Sequence, residues 1–527
     1  MRRLLLLSFF IFISCKNTEL DLIPKKPNVL LFYIDDLRPE LASFGASHIQ
    51  SPNIDALASK GIKFTNAYCN VPVCGASRAS MLTGMLPTKK RFINYNTFVE
   101  KETPEAVTLP QLFKNNGYTT ISNGKIYHHL DDRETDWNEV WRPYAFDTND
   151  LGLAPTDYWQ SLWKDYQNPT NISNYKITDK GPAYESADVS DFTHIDGLLT
   201  EKVIKDIKKL KKSNTPFFLS AGFISPHLPF NAPKKYWDLY DRNTILQPEN
   251  HDAIPLNAPK ISISNWPEMR SYSNIPKRGQ VSDSIANDLI HGYYATVSYT
   301  DALIGKILHE LKEQELDKNT VIIFVSDHGY NLQEHTQWAK FTNYNTSTQV
   351  PLIIYNPLTK VKGTTNALTS LVDIYPTLAE ICGLEIPKEQ LDGTSLVPVL
   401  NNPNLEGKKH VFIKKGNGFT LKTRDFSYTE FIKSKDNSII ARMLYDHRSN
   451  KFENVNIINQ KEFKNKVSEL SLILHSEFQK NIEGLDDNGD LKYSVDFRSV
   501  FATLLDQWLD ASHSKILGKS FKTLNFI

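Results

Sequence analysis

Cysteine is scarce in this chain, with 4 in 527 residues. That is too few for a disulfide framework to hold a protein of this length. Neither charge is in excess, since 60 Lys and Arg face 60 Asp and Glu, and this excludes the basic footprint of a nucleic-acid binder. Beyond residue 13 there is no apolar run long enough to cross a bilayer. Internal repeats and low-complexity tracts are absent as well. What is abundant is aromatic: 28 Phe, 23 Tyr and 8 Trp supply apolar area for a large core and exclude a disordered chain. The length allows roughly two to four domains, or one large α/β unit absorbing most of it.

The N-terminus reads as an export signal. Arg2 and Arg3 precede an apolar run over 4–13 that stops at Ser14 and Cys15, too short for a membrane-spanning helix and basic at its start. Phe12, Ile13, Ser14 and Cys15 resemble a bacterial lipobox, in which the cysteine is lipidated and becomes the new N-terminus. Phe12 stands where Leu is usual, so plain secretion with cleavage nearby is the alternative. The expected product is an exported lipoprotein at the cell surface or periplasmic face, touching the membrane only through its anchor. Cys69, Cys74 and Cys382 then remain. A Cys69–Cys382 disulfide and two buried free thiols are both open in an oxidising compartment.

Apolar runs alternate with helical patterns from residue 28 onward. Residues 29–34, 217–221, 321–325 and 352–355 are strand-length runs of the kind buried on both faces. A helix is predicted to open at Ser51 and Pro52, where proline suits the first turn, and to end at Gly61. Others are predicted over 200–212, about 285–314, where Leu303, Ile307 and Leu311 share a face, and 371–381. Alternation of this kind implies an α/β fold with a mostly parallel central sheet flanked by helices. After about residue 403 the pattern changes to short strands at 410–413, 426–431 and 439–444 with a helix near 461–479. The division expected is a signal at 1–15, a tether at 16–26, a catalytic domain at 27–403, an antiparallel α+β subdomain at 404–483, and a tail at 484–527. That tail holds an acidic loop over 484–490 and a terminal helix over 500–509.

Ligands of open α/β sheets bind at the carboxyl ends of the strands. Just beyond these strands stand Asp35 and Asp36, the turn 222–227, and Asp327 with His328. Adjacent carboxylates repel unless a cation or basic groups neutralise them. Three carboxylates at strand ends suit a hard divalent cation with oxygen ligands, calcium before magnesium. Cys74 is followed by Ser77 and Arg78, and then by Leu82, Thr83 and Gly84. A thiol beside an arginine is either a nucleophile of lowered pKa or a buried structural cysteine.

That segment resembles the signature of the sulfatase family, Cys-x-Pro-Ser-Arg followed by Leu-Thr-Gly, with Ala76 where most members carry Pro. The likeness runs over about 28–400 and more loosely to about 457, and within the family it is to the iduronate-2-sulfatase branch. It is carried by Asp35 to Pro39, Ser51 to Asp55, Gly124 to His128, Pro226 to Phe230, Ser326 to Tyr330, Glu334 with His335, and Trp338 to Lys340. The resemblance implies an alkaline-phosphatase-like fold and a calcium ion held by Asp35, Asp36, Asp327, His328 and modified Cys74. In the family this cysteine is oxidised to formylglycine (3-oxoalanine), so a formylglycine-generating maturation enzyme is an expected partner. Arg78 and Lys125 would steady the nucleophile and the sulfate. His128, His227 and Lys340 would handle proton transfer and sulfate charge, with His129 as an alternative to His128. Arg38, Tyr330 and His335 are candidate substrate contacts.

The implied activity is hydrolysis of sugar sulfate esters, a 2-O-sulfated uronate or similar sugar, in a glycosaminoglycan or an algal polysaccharide such as ulvan. The rivals are a phosphomonoester or phosphonate hydrolase of the same superfamily and a catalytically dead carbohydrate-binding protein.

Overall fold

All seven residues of strand β1 (Asn28–Ile34) are buried, and the reason is its two-sided packing. Leu30, Phe32 and Ile34 enter one core cluster, while Val29, Leu31 and Tyr33 enter the other, as the two-residue period of a strand requires. The computed structural model describes residues 26–129, 131–143, 165–213, 215–478 and 512–517, with isolated positions at 502, 505 and 506. The expected signal, the tether except for its last residue, the acidic loop and nearly all of the terminal helix lie outside these residues.

Around β1 the sheet is built from β2 (Ile62–Tyr68), β3 (Thr119–Gly124), β4 (Glu139–Trp141), β5 (Phe217–Phe223), β6 (Thr320–Ser326), β7 (Gln349–Tyr355) and β8 (Gly363–Thr365). Its order is β8-β2-β7-β6-β1-β5-β3-β4, and Thr369–Ser370 adds a further short pairing to β2. The run β6-β1-β5-β3-β4 is parallel throughout, whereas β7 is antiparallel to both of its neighbours. Helix α1 (Pro52–Lys60) has Pro at its start and Gly61 at its end, as predicted. Cys74–Thr83 forms α2, and α3 (Ile195–Ser213) and α4 (Asp283–Glu313) extend the helices read from the sequence. The stretch 371–381 is a short 3-10 turn over Leu371–Asp373 followed by α5 (Ile374–Ile381). Helices α3 and α4 cover one face through Leu199, Val203, Leu303 and Ile307. On the other face lie Met81 and Leu82 of α2 and Leu378 of α5.

Beyond this layer, β9 (Val411–Lys415), β10 (Gly418–Lys422), β11 (Phe426–Ile432) and β12 (Ile439–Asp446) form an antiparallel meander. Helix α6 (Lys464–Phe478) packs Leu470 and Leu474 against Leu421, Tyr428 and Leu444. Cys69 and Cys382 are buried free thiols, which decides that open alternative against a disulfide. Among the described residues no helix is long and apolar enough to cross a membrane.

Candidate active site

The carboxyl ends of β1, β3, β5 and β6 converge, and each supplies a charged group. Asp36 follows β1 with φ 60°, a left-handed conformation that costs a non-glycine residue about 1–3 kcal/mol unless its surroundings hold it. They do. Its amide donates to Asp327 Oδ1 at 3.2 Å, and its carbonyl accepts from the Tyr293 hydroxyl at 2.8 Å. The amide of His328 also donates to Asp327 Oδ1, at 2.9 Å. One carboxylate thus ties the end of β1 to that of β6.

Helix α2 explains the spacing of the signature. Cys74 is its first residue, and Ser77 and Arg78 follow at i+3 and i+4, on the same face. Ser77 Oγ donates to the carbonyl of Asp327. Arg78 Nε donates to Asp327 Oδ2 at 2.8 Å, and its Nη1 reaches the carbonyls of Lys125 and Ile126. Gly84 ends the helix with φ 69°, and Met85 N returns to Ser80 O at 3.2 Å. The Leu-Thr-Gly part of the signature is therefore a helix C-cap in which glycine supplies the left-handed residue.

The remaining cations close the ring. Lys125 Nζ pairs with Asp35 Oδ2, and Lys340 Nζ donates to both oxygens of Asp36 at 2.9 Å. His227 lies between the cis bonds Ser225–Pro226 and Leu228–Pro229. Its Nδ1 bonds the Leu228 carbonyl at 2.6 Å, and its Nε2 is 2.8 Å from Glu268 Oε1 and 3.8 Å from Asp36 Oδ2. Burial and Lys340 push the His227 imidazole down, but Asp36, Glu268 and Asp35 outweigh them and raise it to about 9. His128 is held well below the usual histidine range by burial and by Lys125. Its ring meets Tyr95 edge-on at 6.1 Å, while the neighbouring His129 stacks on Phe98 at 3.7 Å. Burial and Asp35 push the Cys74 thiol up, yet Lys125, Lys340 and a bond from His328 prevail and bring it down to about 6.

Glu268 was missed in the sequence. It bridges His227 and Lys340, the latter at 3.2 Å, from an irregular segment where a lone acidic residue carries no pattern. The three candidate substrate contacts do not sit together. Arg38, clamped between Glu40 and Glu334, lines a cavity of about 370 Å³ with His335. Tyr330 is instead fully buried, with its ring against Tyr293 at 5.5 Å.

The donor set fits a divalent cation. Ligand atoms of Asp35, Asp36, Cys74 and His328 lie within 4.8 Å of one another, and Asp327 stands beside them, turned toward Arg78. Asp35 Oδ1 is buried and accepts no hydrogen bond among the described residues. Burial lifts the Asp36 carboxyl to about 7 despite Lys340 and His227. Both features mark carboxylates that would gain from more positive charge. Chelating divalent metal from the purified protein is expected to lower its thermal midpoint and its turnover together. The stability lost is about 2.7 kcal/mol if the ion is normally present at a hundred times its Kd. Melting curves with EDTA, then with calcium or magnesium restored, check this, and an unchanged midpoint would remove the ion from the account.

Comparison with known proteins decides the family. Residues 27–384 match the family described as Sulfatase, and residues 333–481 match N-sulphoglucosamine sulphohydrolase, C-terminal. The chain belongs to the sulfatase family. It is 32% identical over 400 residues to iduronate 2-sulfatase of Mus musculus, covering 68% of this chain and 69% of that one. A phosphonate monoester hydrolase from Silicibacter pomeroyi superposes with a TM-score of 0.69 at 21% identity, covering 89% of this chain and all of the other. A protein solved with its substrate D-glucosamine-2-N,6-O-disulfate gives 0.67, also at 21% identity, over 86% of this chain and 97% of the other. At that identity the superpositions establish the fold, which is alkaline-phosphatase-like. This sulfatase is a sulfuric ester hydrolase of the iduronate-2-sulfatase type. Sulfatases generally use formylglycine and a divalent metal, and this sulfatase has a cysteine and a metal-ligand set in one place.

Proposed function

We propose that the chain is an exported, calcium-dependent carbohydrate sulfatase with a formylglycine nucleophile at position 74. Its substrate is a 2-O-sulfated uronate or similar sugar in a sulfated polysaccharide or its oligosaccharides, of glycosaminoglycan or ulvan type. One observation carries this reading: the Cys74 thiol lies among the Asp35, Asp36 and His328 ligand atoms, ringed by Arg78, Lys125 and Lys340. The named likeness to iduronate 2-sulfatase supports the sugar class. The lipobox-like residues 12–15 support export with a lipid anchor, and the signature around Cys74 supports a maturation enzyme as partner.

Oxidised to an aldehyde and hydrated, residue 74 would offer one hydroxyl as nucleophile and a second for release of sulfate. Bound by Asp35, Asp36, Asp327 and His328, calcium would supply Lewis acidity to the sulfuryl oxygens. Arg78 is pinned by Asp327 and by two carbonyls, and its Nη2 is buried without a hydrogen bond among the described residues. That fixed donor suits an anionic oxygen and needs no reorganisation as charge develops. Lys125 and Lys340 add positive charge on either side. The two histidines differ as an acid and a base should. His227, raised to about 9 with its Nδ1 occupied, holds a proton at Nε2 for the departing sugar oxygen. His128, kept neutral by burial and Lys125, accepts the proton of the second hydroxyl.

The fold of the phosphonate monoester hydrolase keeps a second reading in view, hydrolysis of phosphate or phosphonate esters. Matched sugar and aryl esters of sulfate, phosphate and phosphonate separate the two. Sulfate esters are expected to turn over faster by at least about tenfold in kcat/KM, or about 1.4 kcal/mol of barrier. A preference of that size for phosphorus would overturn the proposal.

A further inference from the structure

A second cavity, of about 270 Å³, lies where the C-terminal meander meets the segment following α2. It is lined by Lys89, Lys414 and Lys433, by Asn417 and Ser434, and by apolar walls that include Ile93 and Phe419, with no carboxylate among its described lining residues. Lys414 is the informative member. It is only 4% exposed, and its Nζ lies 6.0 Å from the centre of the Phe419 ring. Among the described residues the carboxylate whose field reaches it is Glu102, which also accepts from the Phe92 amide. Burial lowers the ammonium to about 8 against that pull, so it is still charged at neutral pH. A buried ammonium with no carboxylate in direct contact among the described residues is costly, and the cost falls when an anion enters beside it. Lys89, which donates to Asn437 Oδ1 at 2.8 Å, adds a second positive charge to the cavity wall.

Both walls are tied to residues flanking the nucleophile position. Lys414 N donates to the carbonyl of Asn70 at 2.8 Å, and the four residues from Asn70 to Cys74 span at most about 14 Å. On the other side, Tyr95 lies two residues beyond Ile93. Its carbonyl would stand 2.2 Å from a Cβ on Gly75, and its ring faces His128. The cavity is thus within the reach of a short saccharide held at Cys74. We propose that it is a second anion subsite, taking a carboxylate or sulfate group carried by the saccharide whose ester is cleaved. Phe419 and Ile93 offer an apolar surface to a sugar face, and Asn417 and Ser434 offer hydrogen bonds to its hydroxyls. The inference rests on the carbohydrate sulfatase reading and narrows it to substrates with at least two anionic groups.

The test compares the mature full-length protein with its Lys414→Met variant, which keeps the side chain's bulk and removes a buried charge. Three oligosaccharides share one scissile sulfate and differ in the second group, which is a carboxylate, a sulfate or a hydroxyl. The preference of the parent protein for an anionic second group, as a ratio of kcat/KM values, is expected to fall about tenfold or more in the variant, the size of one charge-assisted hydrogen bond. The change should lie in KM, with Lys414→Arg retaining part of the preference. Whichever anionic arm loses more identifies the natural group. Equal discrimination by parent and variant overturns the subsite. Calorimetry with a disaccharide that bears the second anion but no scissile ester keeps the two readings apart. If no oligosaccharide releases sulfate, the carbohydrate sulfatase reading fails. Binding of that disaccharide still weakens in the variant if the subsite is right and is unchanged if it is wrong.

Discussion

Replacing Cys74 with alanine is expected to lower sulfate release by at least about 10⁴-fold while leaving the fold in place, because a nucleophile lost from a covalent mechanism is not replaced by its neighbours. The substitution is sterically mild. Residue 74 is the first residue of α2, alanine is the best helix former, and the helix is held from its other residues by Ser77 and Arg78. Cys74→Ser should fall as far unless a maturation enzyme in the host accepts serine. Ion chromatography of released sulfate, run beside thermal melts of the same samples, separates loss of chemistry from loss of structure. A Cys74→Ala protein within tenfold of the parent would mean that position 74 is not where sulfur is attacked.

Arg78→Ala should do damage of a different kind. The guanidinium is fully buried, pairs with Asp327, bonds two carbonyls and lies 4.4 Å from the centre of the Tyr33 ring. Its removal strands Asp327 in the core. Breaking a buried pair from one side costs about 3–5 kcal/mol, and losing a fixed donor to the sulfuryl group costs about 10²–10³ in turnover. Arg78→Lys keeps the charge but not the planar fork, so it should recover part of the stability and little of the rate. Urea unfolding and kcat/KM on the same preparations read both effects. A variant as stable as the parent would show that Asp327 is neutralised by something other than Arg78.

How much of this was visible before folding depended on whether a local pattern marked each residue. Strands β1, β5 and β6 were legible because both of their faces are buried, which makes most of their residues apolar. The carboxylates that follow them stood out as charges abutting those runs. Strand β3 was not legible, although it is almost wholly buried. It is polar, and distant residues supply partners that no local pattern shows: Asn123 Nδ2 donates to Asp206 and Thr120 Oγ1 to Asn138. Helix α2 has no solvent face, so no amphipathic period betrays it, and its chemistry was reached through resemblance to the sulfatase signature alone. Glu268 and Lys414 matter for what they meet across the fold, and no spacing along the chain encodes that. The candidate contacts Arg38 and His335 line one cavity, while Tyr330 is buried against Tyr293, a difference set by packing that no local pattern encodes.

The most direct test of the account is the mass of the peptide ending at Arg78, taken from protein made in the native host. The expected peptide carries an aldehyde oxygen at position 74 in place of sulfur and reacts with hydrazide reagents. An intact thiol there, in a preparation that actively releases sulfate, would contradict the mechanism outright.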